Sequence, residues 1–350
     1  MKNFFTKLHY SKEYKLSEKL IYTVLLPISC AYSTIAEIRN FLYKKHYIKT
    51  YTPTVKTISV GNLTTGGTGK TPLTAALANN LTAKGYKVAI LSRGYGSKLN
   101  SKNINIISDG KTIFYNAQNG GDEPVWLAQN CPNTMVLTSS NRIQLAQKAE
   151  ELGCNMLILD DGFQHQKLER NINIAVIDSE KQFGNKKVLP AGPLRESIKN
   201  LKRANKIVIV CKNNQNPSNN LIETIKQYNP NAEISFCKIK AQSTYNIQNN
   251  TEENIADKRI FAFSAIGQPE QFYNLLRLNK ANVIKTISFP DHHSYQSEDI
   301  NKILSEANEI NADLIITTEK DAVKIKQLTD KAIYALKLGI DWDAENILNI

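Results

Sequence analysis

Residues 61–72 read GNLTTGGTGKTP, and they follow a short alternating run rich in β-branched residues, VKTISV, at positions 55–60. The alternating run predicts a strand, because side chains repeat with a period of two along a sheet. Residues 73–84 predict a helix that ends at Gly85. The order of strand, glycine-rich loop and helix is the context of a phosphate-binding loop, so the stretch predicts an α/β fold built on a parallel sheet.

The residue types in this loop fit the binding of a nucleoside triphosphate. Glycines let backbone amides converge on phosphate oxygens, and the start of the following helix adds its positive dipole. Lys70 is placed to reach the β- and γ-phosphates, and the Thr71 hydroxyl is a ligand for Mg²⁺. The predicted nucleotide-binding residues are Thr65, Gly66, Gly67, Thr68, Gly69, Lys70 and Thr71.

One position departs from the standard phosphate-binding loop. That pattern has a glycine five residues before Gly69, and this sequence has Thr64 there. The alternative interpretation is a glycine-rich turn in which Lys70 and Thr71 adjoin by chance. The predicted strand and helix on either side favour the phosphate site, and ATP with Mg²⁺ is the expected cofactor pair.

A second candidate site begins where another apolar run ends. The run NMLIL at 155–159 predicts a buried strand, and Asp160 and Asp161 follow it directly. Ligands in an open α/β sheet bind outside the carboxyl ends of the strands, and a carboxylate there holds Mg²⁺ in phosphate-binding-loop proteins. A solvated polar loop is the alternative, but the upstream phosphate-binding loop favours a metal site.

Two further segments carry candidate acid–base groups. Asp122 stands in the loop GDEP at 121–124, where a carboxylate either accepts a proton from a substrate hydroxyl or caps the following helix. The segment DHH at 291–293 contains two adjacent histidines, whose side chains we expect to point to different sides. A shared metal site is therefore not expected, but one histidine could orient a catalytic carboxylate.

The N-terminal segment is apolar on one side. Residues 20–38 form the most apolar long stretch, with apolar residues at helical spacing and basic residues on both flanks. Polar residues and Pro27 interrupt it, so it falls short of a membrane-spanning helix. An interfacial helix held by its basic flanks and a core helix packed on the domain remain equally compatible with this pattern.

The composition limits the type of fold, the charge of the partner and the cellular compartment. The chain has 350 residues and 41% hydrophobic residues, which predicts a packed core, and a formal net charge of +12, which favours an anionic partner. No basic run is long enough to predict a nucleic-acid tail. The five widely spaced cysteines contain no CxxC, which indicates reduced thiols in the cytosol.

Five segments taken together resemble one family. In chain order they are GNLTTGGTGKTP, DDGFQH at 160–165, LPAGPLRE at 189–196, DHH, and TTEKDAVK at 317–324. They are similar to the tetraacyldisaccharide 4′-kinases, the lipid A 4′-kinases of Gram-negative bacteria, and the resemblance runs from about residue 20 to residue 324. Thr64 in place of glycine is shared with that family and supports the match.

The resemblance implies a fold and a reaction. It implies a P-loop domain with a parallel sheet and helices on both faces, at 51–204, a smaller α/β domain at 205–350 that closes over the active-site cleft, and a membrane-associated N-terminal segment at 1–50. The implied enzyme is a peripheral protein of the cytoplasmic face of the inner membrane. It transfers the γ-phosphoryl group of ATP to the 4′-hydroxyl of a tetraacylated glucosamine disaccharide 1-phosphate, giving lipid IVA. This settles the N-terminal segment in favour of the interfacial helix.

The resemblance also implies roles for single residues. Lys70 and Thr71 hold phosphate and Mg²⁺, Asp160 and Asp161 belong to the metal site, and Asp122 is the general base. His292 is its partner from the second domain. The residues expected to line the cleft are Arg93, Arg142, His165, Arg195 and Glu196. A monomer that binds no nucleic acid is expected.

Three other classes are weighed against this one. A membrane-recruited ATPase of the division or partition type carries a signature lysine before the two glycines, and Thr65 occupies that place here. A cytosolic small-molecule kinase or ATP-dependent ligase would not need the basic, apolar N-terminus. A nucleic-acid binder is suggested by net charge alone.

Overall fold

The computed structural model describes residues 2–11, 15–211 and 216–342, with only the backbone for 2–4, 6 and 342. The predicted segments 1–50 and 205–350 therefore each include residues outside the described ranges. The strands within these ranges are β1 (Lys56–Gly61), β2 (Val88–Ser92), β3 (Asn105–Ser108), β4 (Met135–Thr138), β5 (Met156–Asp160), β6 (Ile172–Asp178), β7 (Lys206–Cys211), β8 (Glu233–Asn246), β9 (Arg259–Ser264), β10 (Asn282–Ser288), β11 (Leu314–Thr318) and β12 (Tyr334–Trp342).

Helices alternate with most of these strands, as a parallel sheet requires. They are α1 (Lys2–Tyr10), α2 (Leu16–Lys44), α3 (Lys70–Ala83), α4 (Ala117–Gly120), α5 (Asp122–Asn130), α6 (Arg142–Glu151), α7 (Asn219–Tyr228), α8 (Pro269–Leu278), α9 (Ser297–Glu309) and α10 (Glu319–Ile325). A 3₁₀ helix covers Ile198–Arg203.

The chain divides into two compact units that interleave in sequence. Unit 1 contains Met1–Lys70, Asn155–Cys237 and Trp342–Ile350, and unit 2 contains Thr71–Cys154 and Lys238–Asp341. The GDEP, DHH and TTEKDAVK segments therefore belong to the same unit. The domain boundaries expected from the sequence, at 51–204 and 205–350, stay a prediction.

The sheet of unit 1 sets the phosphate-binding loop beside the Asp160 segment. Its strands run parallel in the order β7–β6–β1–β5, and Val60 at the end of β1 pairs in register with Asp160 at the end of β5. All five residues of β5 are buried, as expected for a strand covered on both faces. The carboxyl ends of β1 and β5 thus present both predicted motifs at one edge.

Unit 2 contains two groups of paired strands. β2 runs parallel to β4, and β3 runs antiparallel to β4. The other group is parallel in the order β10–β9–β11–β12, over a core that includes Phe261, Phe263 and Ile303. The predicted α/β class with a parallel sheet is confirmed.

The N-terminal apolar segment forms the long helix α2. The helix starts six residues after Tyr10, passes through Pro27 and ends at Lys44, so it is longer than the predicted 20–38. The stripe of helically spaced apolar residues is exposed: Leu20 by 69%, Val24 by 62% and Ile35 by 69%. The alternative of a core helix is therefore not what the structure contains.

The opposite face of α2 packs against the remainder of unit 1. Ser29, Ala36 and Asn40 are buried, and Ser29 Oγ accepts the backbone N–H of Ala191 at 2.9 Å. Asn200 donates its side-chain amide to Glu37 at 2.7 Å. Hydrogen bonds along one face orient the helix, so the apolar stripe lies on the side away from Ala191 and Asn200.

By length and composition, α2 also meets the criteria for a membrane-crossing helix, the one such helix among the described residues. The expectation that the segment is too interrupted to span a bilayer was wrong on this criterion, because the helix continues through Pro27 to 29 residues. Thr34 is accommodated within the helix by donating to the carbonyl of Cys30. Cys30 itself is exposed, whereas the other four cysteines are buried.

A short helix that the sequence did not predict precedes α2. The last turn of α1 is fixed to the segment around Asn185: Leu8 is buried, and the backbone N–H of Asn185 donates to the carbonyl of His9 at 2.9 Å. The His9 ring lies 3.0 Å from the carbonyl oxygen of Pro190 through Nε2. Both N-terminal helices therefore contact the segment 183–193.

Candidate active site

The phosphate-binding loop has the backbone that its glycines predict. Gly66 and Gly69 have φ values of 99° and 89°, in the left-handed region that favours glycine. No atom lies within 4 Å of the position that a Cβ would take on Gly66 or Gly67, so these positions face open space. Thr65 is tied to the loop 189–196, because its backbone N–H donates to the carbonyl of Pro193 at 2.8 Å.

Lys70 begins α3 and is held on two sides. Its Nζ donates to Asn62 Oδ1 at 3.2 Å and lies 3.4 Å from Asp161 Oδ1. Asn62 is fully buried and also donates from Nδ2 to the carbonyl of Thr64 at 2.7 Å and to Thr68 Oγ1 at 3.1 Å. One asparagine thus joins the start, the middle and the lysine of the loop.

Asp161 forms the second contact of the loop lysine. Arg195 donates to both of its oxygens, at 2.9 and 2.7 Å, so the predicted residue Arg195 lies beside the predicted metal ligand. Desolvation raises the pKa of Asp161, but the charges of Lys70 and Arg195 outweigh it and lower the pKa to about 2. Asp161 is therefore an anion at any physiological pH.

Asp160 is buried at the end of β5, and the residues after it pass close to the start of the phosphate-binding loop. A Cβ on Gly61 would lie 2.6 Å from the backbone nitrogen of Phe163. Any other residue at position 61 would push the two segments apart. This close approach therefore requires glycine at position 61. Thr64, the position that departs from the standard loop pattern, does not affect this requirement.

Glu196 lies in a buried network of unit 1. It accepts a forked pair of hydrogen bonds from Arg203, at 2.8 and 2.6 Å, and further ones from Gln164 at 2.9 Å and from Asn40 of α2 at 3.1 Å. Burial raises the pKa of Glu196, but these donors outweigh it and keep the pKa below its usual range. Because Glu196 has no exposed surface, the geometry favours a supporting role; its predicted place in a cleft stays a prediction.

The network reaches the phosphate-binding loop through Gln164. Its side-chain amide donates both to Glu196 and, at 2.9 Å, to the carbonyl of Asn62. The neighbouring predicted residue, His165, donates its backbone N–H to the carbonyl of Gly162 and is partly buried. Sequence reasoning named His165 and missed Asn62 and Gln164, although both stand inside quoted motifs.

In unit 2, Asp122 and His292 meet although 170 positions separate them. Asp122 is the first residue of α5, and its Oδ2 lies 3.3 Å from Nδ1 of His292. The same oxygen lies 3.0 Å from Nζ of Lys324 in α10. Burial raises the pKa of Asp122, but His292 and Lys324 outweigh it, and the pKa stays below its usual value.

The two adjacent histidines face different partners, as the sequence predicts. His293 Nε2 lies 2.9 Å from Asp299, whereas His292 faces Asp122 and packs edge-on against the exposed ring of Tyr95 at a centroid distance of 5.5 Å. His292 has a φ of 62°, which is uncommon outside glycine. Such strained residues cluster at functional sites, where the surrounding structure holds them.

The remaining predicted residues of unit 2 are placed individually. Arg93 is exposed directly after β2, Arg142 is buried as the first residue of α6, and Thr71 is the second residue of α3. Their predicted roles stay predictions. No group of three or more His, Cys, Asp or Glu side chains that could hold a metal ion occurs within 2–11, 15–211 and 216–342.

Comparisons with known proteins agree on one family. The family model described as tetraacyldisaccharide-1-P 4′-kinase matches residues 21–349. A tetraacyldisaccharide 4′-kinase of Halothermothrix orenii is 33% identical over 96% of this chain and 92% of its own length. One from Syntrophus aciditrophicus is 36% identical over 91% and 89%. The crystal structure of LpxK from Aquifex aeolicus in complex with ATP is 30% identical, with a TM-score of 0.74 over 93% of this chain and 96% of that one.

Proposed function

The chain belongs to the tetraacyldisaccharide-1-P 4′-kinase family, and from this premise we propose that it transfers the γ-phosphoryl group of ATP to the 4′-hydroxyl of a tetraacylated glucosamine disaccharide 1-phosphate. The product is lipid IVA, an intermediate of lipid A. The single observation that carries the proposal is the contact of Asp122 with His292 in a chain that also has a phosphate-binding loop. A partition-type ATPase is not favoured, because such a switch has no use for an acceptor base.

The phosphate donor is bound by unit 1 residues in this proposal. The relative from Aquifex aeolicus was crystallised with ATP. Here the ammonium of Lys70 and the N-terminal end of α3 supply the positive charge that phosphoryl transfer requires. Because Lys70 is held between Asn62 and Asp161, little reorganisation is needed to present its charge to a phosphate.

The donor set fits Mg²⁺, which usually takes one or two carboxylates, substrate phosphates and water rather than a dense protein cage. Asp160, Asp161 and the Thr71 hydroxyl are the residues that would hold it. When bound, the ion neutralises charge on the phosphate oxygens. Asp161 has a further role in the chain itself, since it pairs with Lys70 and Arg195 and keeps both cations in place.

The acceptor hydroxyl is activated by Asp122 in this proposal. The pKa of Asp122 lies below its usual value, so the carboxylate is ionised and able to accept a proton at neutral pH. His292 contacts one oxygen and fixes the orientation of the group. Because Asp122 and its contacts come from one chain, a monomer is sufficient for this part of the chemistry.

The glycolipid is reached from a membrane surface through α2. Its exposed apolar stripe would dip into the lipid headgroups, and the exposed Lys15, Lys19, Lys44 and Lys45 would contact anionic lipids. Hydrogen bonds of Ser29, Glu37 and Asn40 keep the other face on unit 1, so the helix lies in the interface rather than across the bilayer. We place the protein at the cytoplasmic face of the inner membrane, where ATP is available.

Mass spectrometry tests the proposed reaction. The purified chain is incubated with ATP, Mg²⁺ and the tetraacyldisaccharide 1-phosphate in mixed micelles, and the lipid is expected to gain one phosphate. The Asp122→Asn variant should form little product while it still binds ATP. No phosphorylated lipid from the folded wild-type chain would refute the proposal.

A further inference from the structure

A third side chain contacts the carboxylate of Asp122. Lys324 of α10 places its Nζ 3.0 Å from Asp122 Oδ2, the same oxygen that His292 approaches at 3.3 Å. The side chain of Lys324 is only 8% exposed. A nearly buried ammonium beside a carboxylate of the proposed site differs from a surface ion pair, because little water screens it.

Lys324 is itself fixed from a second direction. Its Nζ lies 3.2 Å from Oδ1 of Asp321, whose side chain is fully buried. Asp321 in turn accepts the backbone N–H of Ala265 at 2.9 Å and the hydroxyl of Thr318 at 2.8 Å. The ammonium is thus supported by the end of β9 and the start of α10, which makes its position a property of the fold.

These contacts leave the two oxygens of Asp122 unequal. The shortest contacts of both Lys324 and His292 are to Oδ2, at 3.0 and 3.3 Å. Two donors from different elements that meet at one oxygen fix the plane of the carboxylate, because a partial rotation weakens both interactions. Such an arrangement assigns the other oxygen to the incoming proton.

We propose that Lys324 is a positioning residue that holds Asp122 through Oδ2 and directs Oδ1 towards the acceptor hydroxyl. This inference rests on the proposed function of the same site. Lys324 does not touch the reacting atoms; it acts through the carboxylate. It differs in this from Lys320, four residues earlier in α10, which pairs with Glu123 at 2.6 Å.

The charge of Lys324 also opposes protonation of the base. Removing a cation at hydrogen-bond distance raises the pKa of a neighbouring carboxyl by about 1–3 pH units. The charged or titratable groups around Asp122 are Glu123 of its own helix, Asp291 and His292 of the loop after β10, and Lys320, Asp321 and Lys324 of α10.

The test compares Lys324→Met, Lys324→Arg and wild type by their pH profiles of kcat/KM for the disaccharide 1-phosphate, from the acid range in which the Asp122 carboxyl titrates up to about pH 8. Lys324→Met should lower kcat at least about 10-fold with little change in KM for ATP, and its acid limb should move up by about 1–2 pH units. Lys324→Arg keeps the positive charge, so it should recover part of kcat, and the acid limb of its pH profile should lie where it does in wild type. Lys326→Met, at an exposed lysine directly after the same helix, is the matched control and should leave both kcat and the acid limb unchanged.

A kcat within twofold of wild type and an unmoved acid limb in Lys324→Met would overturn the inference. If that variant does not fold because Asp321 is left buried without its cation, the double variant Lys324→Met/Asp321→Asn removes both charges and is measured instead.

A second measurement separates this inference from the proposed function. The ¹³C carboxyl resonance of Asp122, identified by its loss in Asp122→Asn, is titrated in wild type and in Lys324→Met. A higher titration midpoint in the variant supports the contact even if wild type forms no phosphorylated lipid, which would refute only the proposed function. Equal midpoints would refute the positioning role even in an active enzyme.

Discussion

The backbone N–H of Ala191 donates to the Ser29 hydroxyl at 2.9 Å, and both groups are buried. This bond joins α2 directly to the loop 189–196. The carbonyl of Pro193 in that same loop accepts the backbone N–H of Thr65, so one loop supports both the helix with the exposed apolar stripe and the phosphate-binding loop.

Charges on the apolar stripe should abolish membrane binding. Val24→Glu/Ile35→Glu places two carboxylates at positions that are 62% and 69% exposed, so the fold should tolerate them while lipid insertion becomes unfavourable. Flotation with vesicles of bacterial phospholipids measures the bound fraction. Leu152→Glu, at an exposed leucine outside α2, is the control and should float like wild type. Unchanged flotation of the α2 variant would contradict the interfacial role.

Asn62 should be needed for nucleotide binding. Asn62→Ala removes the contacts to Thr64, Thr68 and Lys70 and leaves buried polar groups without a partner, which costs about 1–3 kcal/mol. We expect affinity for Mg·ATP to fall at least about 10-fold by calorimetry. Asn62→Asp keeps the shape but adds a negative charge near the phosphates, so it should bind more weakly still. Asn308→Ala, at an exposed position, controls for the loss of an asparagine. Wild-type affinity in Asn62→Ala would rule out this role.

Variants of Lys70 and Asp122 should differ in whether they lose ATP affinity as well as the rate of phosphoryl transfer. Lys70→Met removes a cation that contacts phosphate, and we expect both weaker ATP binding and slower transfer. Asp122→Asn keeps the size of the side chain but cannot accept a proton, so kcat should fall by about 10²–10⁴-fold with ATP affinity near wild type. Single-turnover kinetics and ATP titrations measure both quantities. Equal loss of ATP affinity in the two variants would contradict the assignment.

Glu319 should make the stability of unit 2 depend on pH. Burial raises the pKa of Glu319 to about 7, against the opposing effects of the Leu338 amide and Lys337. The pKa of Glu319 in the folded state lies above the unfolded value of about 4.3, so this group stabilises the fold least at high pH. As pH rises from about 4 through 7, the free energy of unfolding falls by about 3 kcal/mol. Glu319→Gln should remove this dependence and be more stable than wild type at pH 8.

Urea unfolding at pH 5 and pH 8 measures this difference. Glu309→Gln, at the exposed end of α9, is the control and should behave like wild type at both values. If wild type and Glu319→Gln lose stability equally between the two values, Glu319 is not protonated in the folded chain at pH 5 to 7.

Local patterns predicted the elements that carry the chemistry. The predicted strands at 55–60 and 155–159 correspond to β1 (Lys56–Gly61) and β5 (Met156–Asp160), each shifted by one residue. The helix after the phosphate-binding loop begins at Lys70 rather than residue 73, because the glycine-rich loop already turns into the helix at the lysine. Strong periodicity and glycine spacing are local signals, and a single sequence contains them in full.

The supporting residues were not predicted, because their roles depend on contacts between distant segments. Asn62 reads as one more polar loop residue until its contacts with Thr68 and Lys70 are known. Lys324 lies inside a recognised segment, yet its position near Asp122 follows from the packing of α10 beside α5 within unit 2. The sequence predicts Glu196 as a cleft residue, which stays a prediction, and its burial with Arg203 depends on tertiary structure that the sequence does not show.

The exposed thiol of Cys30 offers a practical route to observe this protein on lipids. Cys30 lies on α2, and the remaining cysteines are buried. A maleimide dye should therefore attach at this one natural position without replacement of the other cysteines. An environment-sensitive fluorophore there would report the polarity around the helix in real time. Quenchers placed at known depths in the bilayer would then give the immersion of α2 in ångströms during turnover.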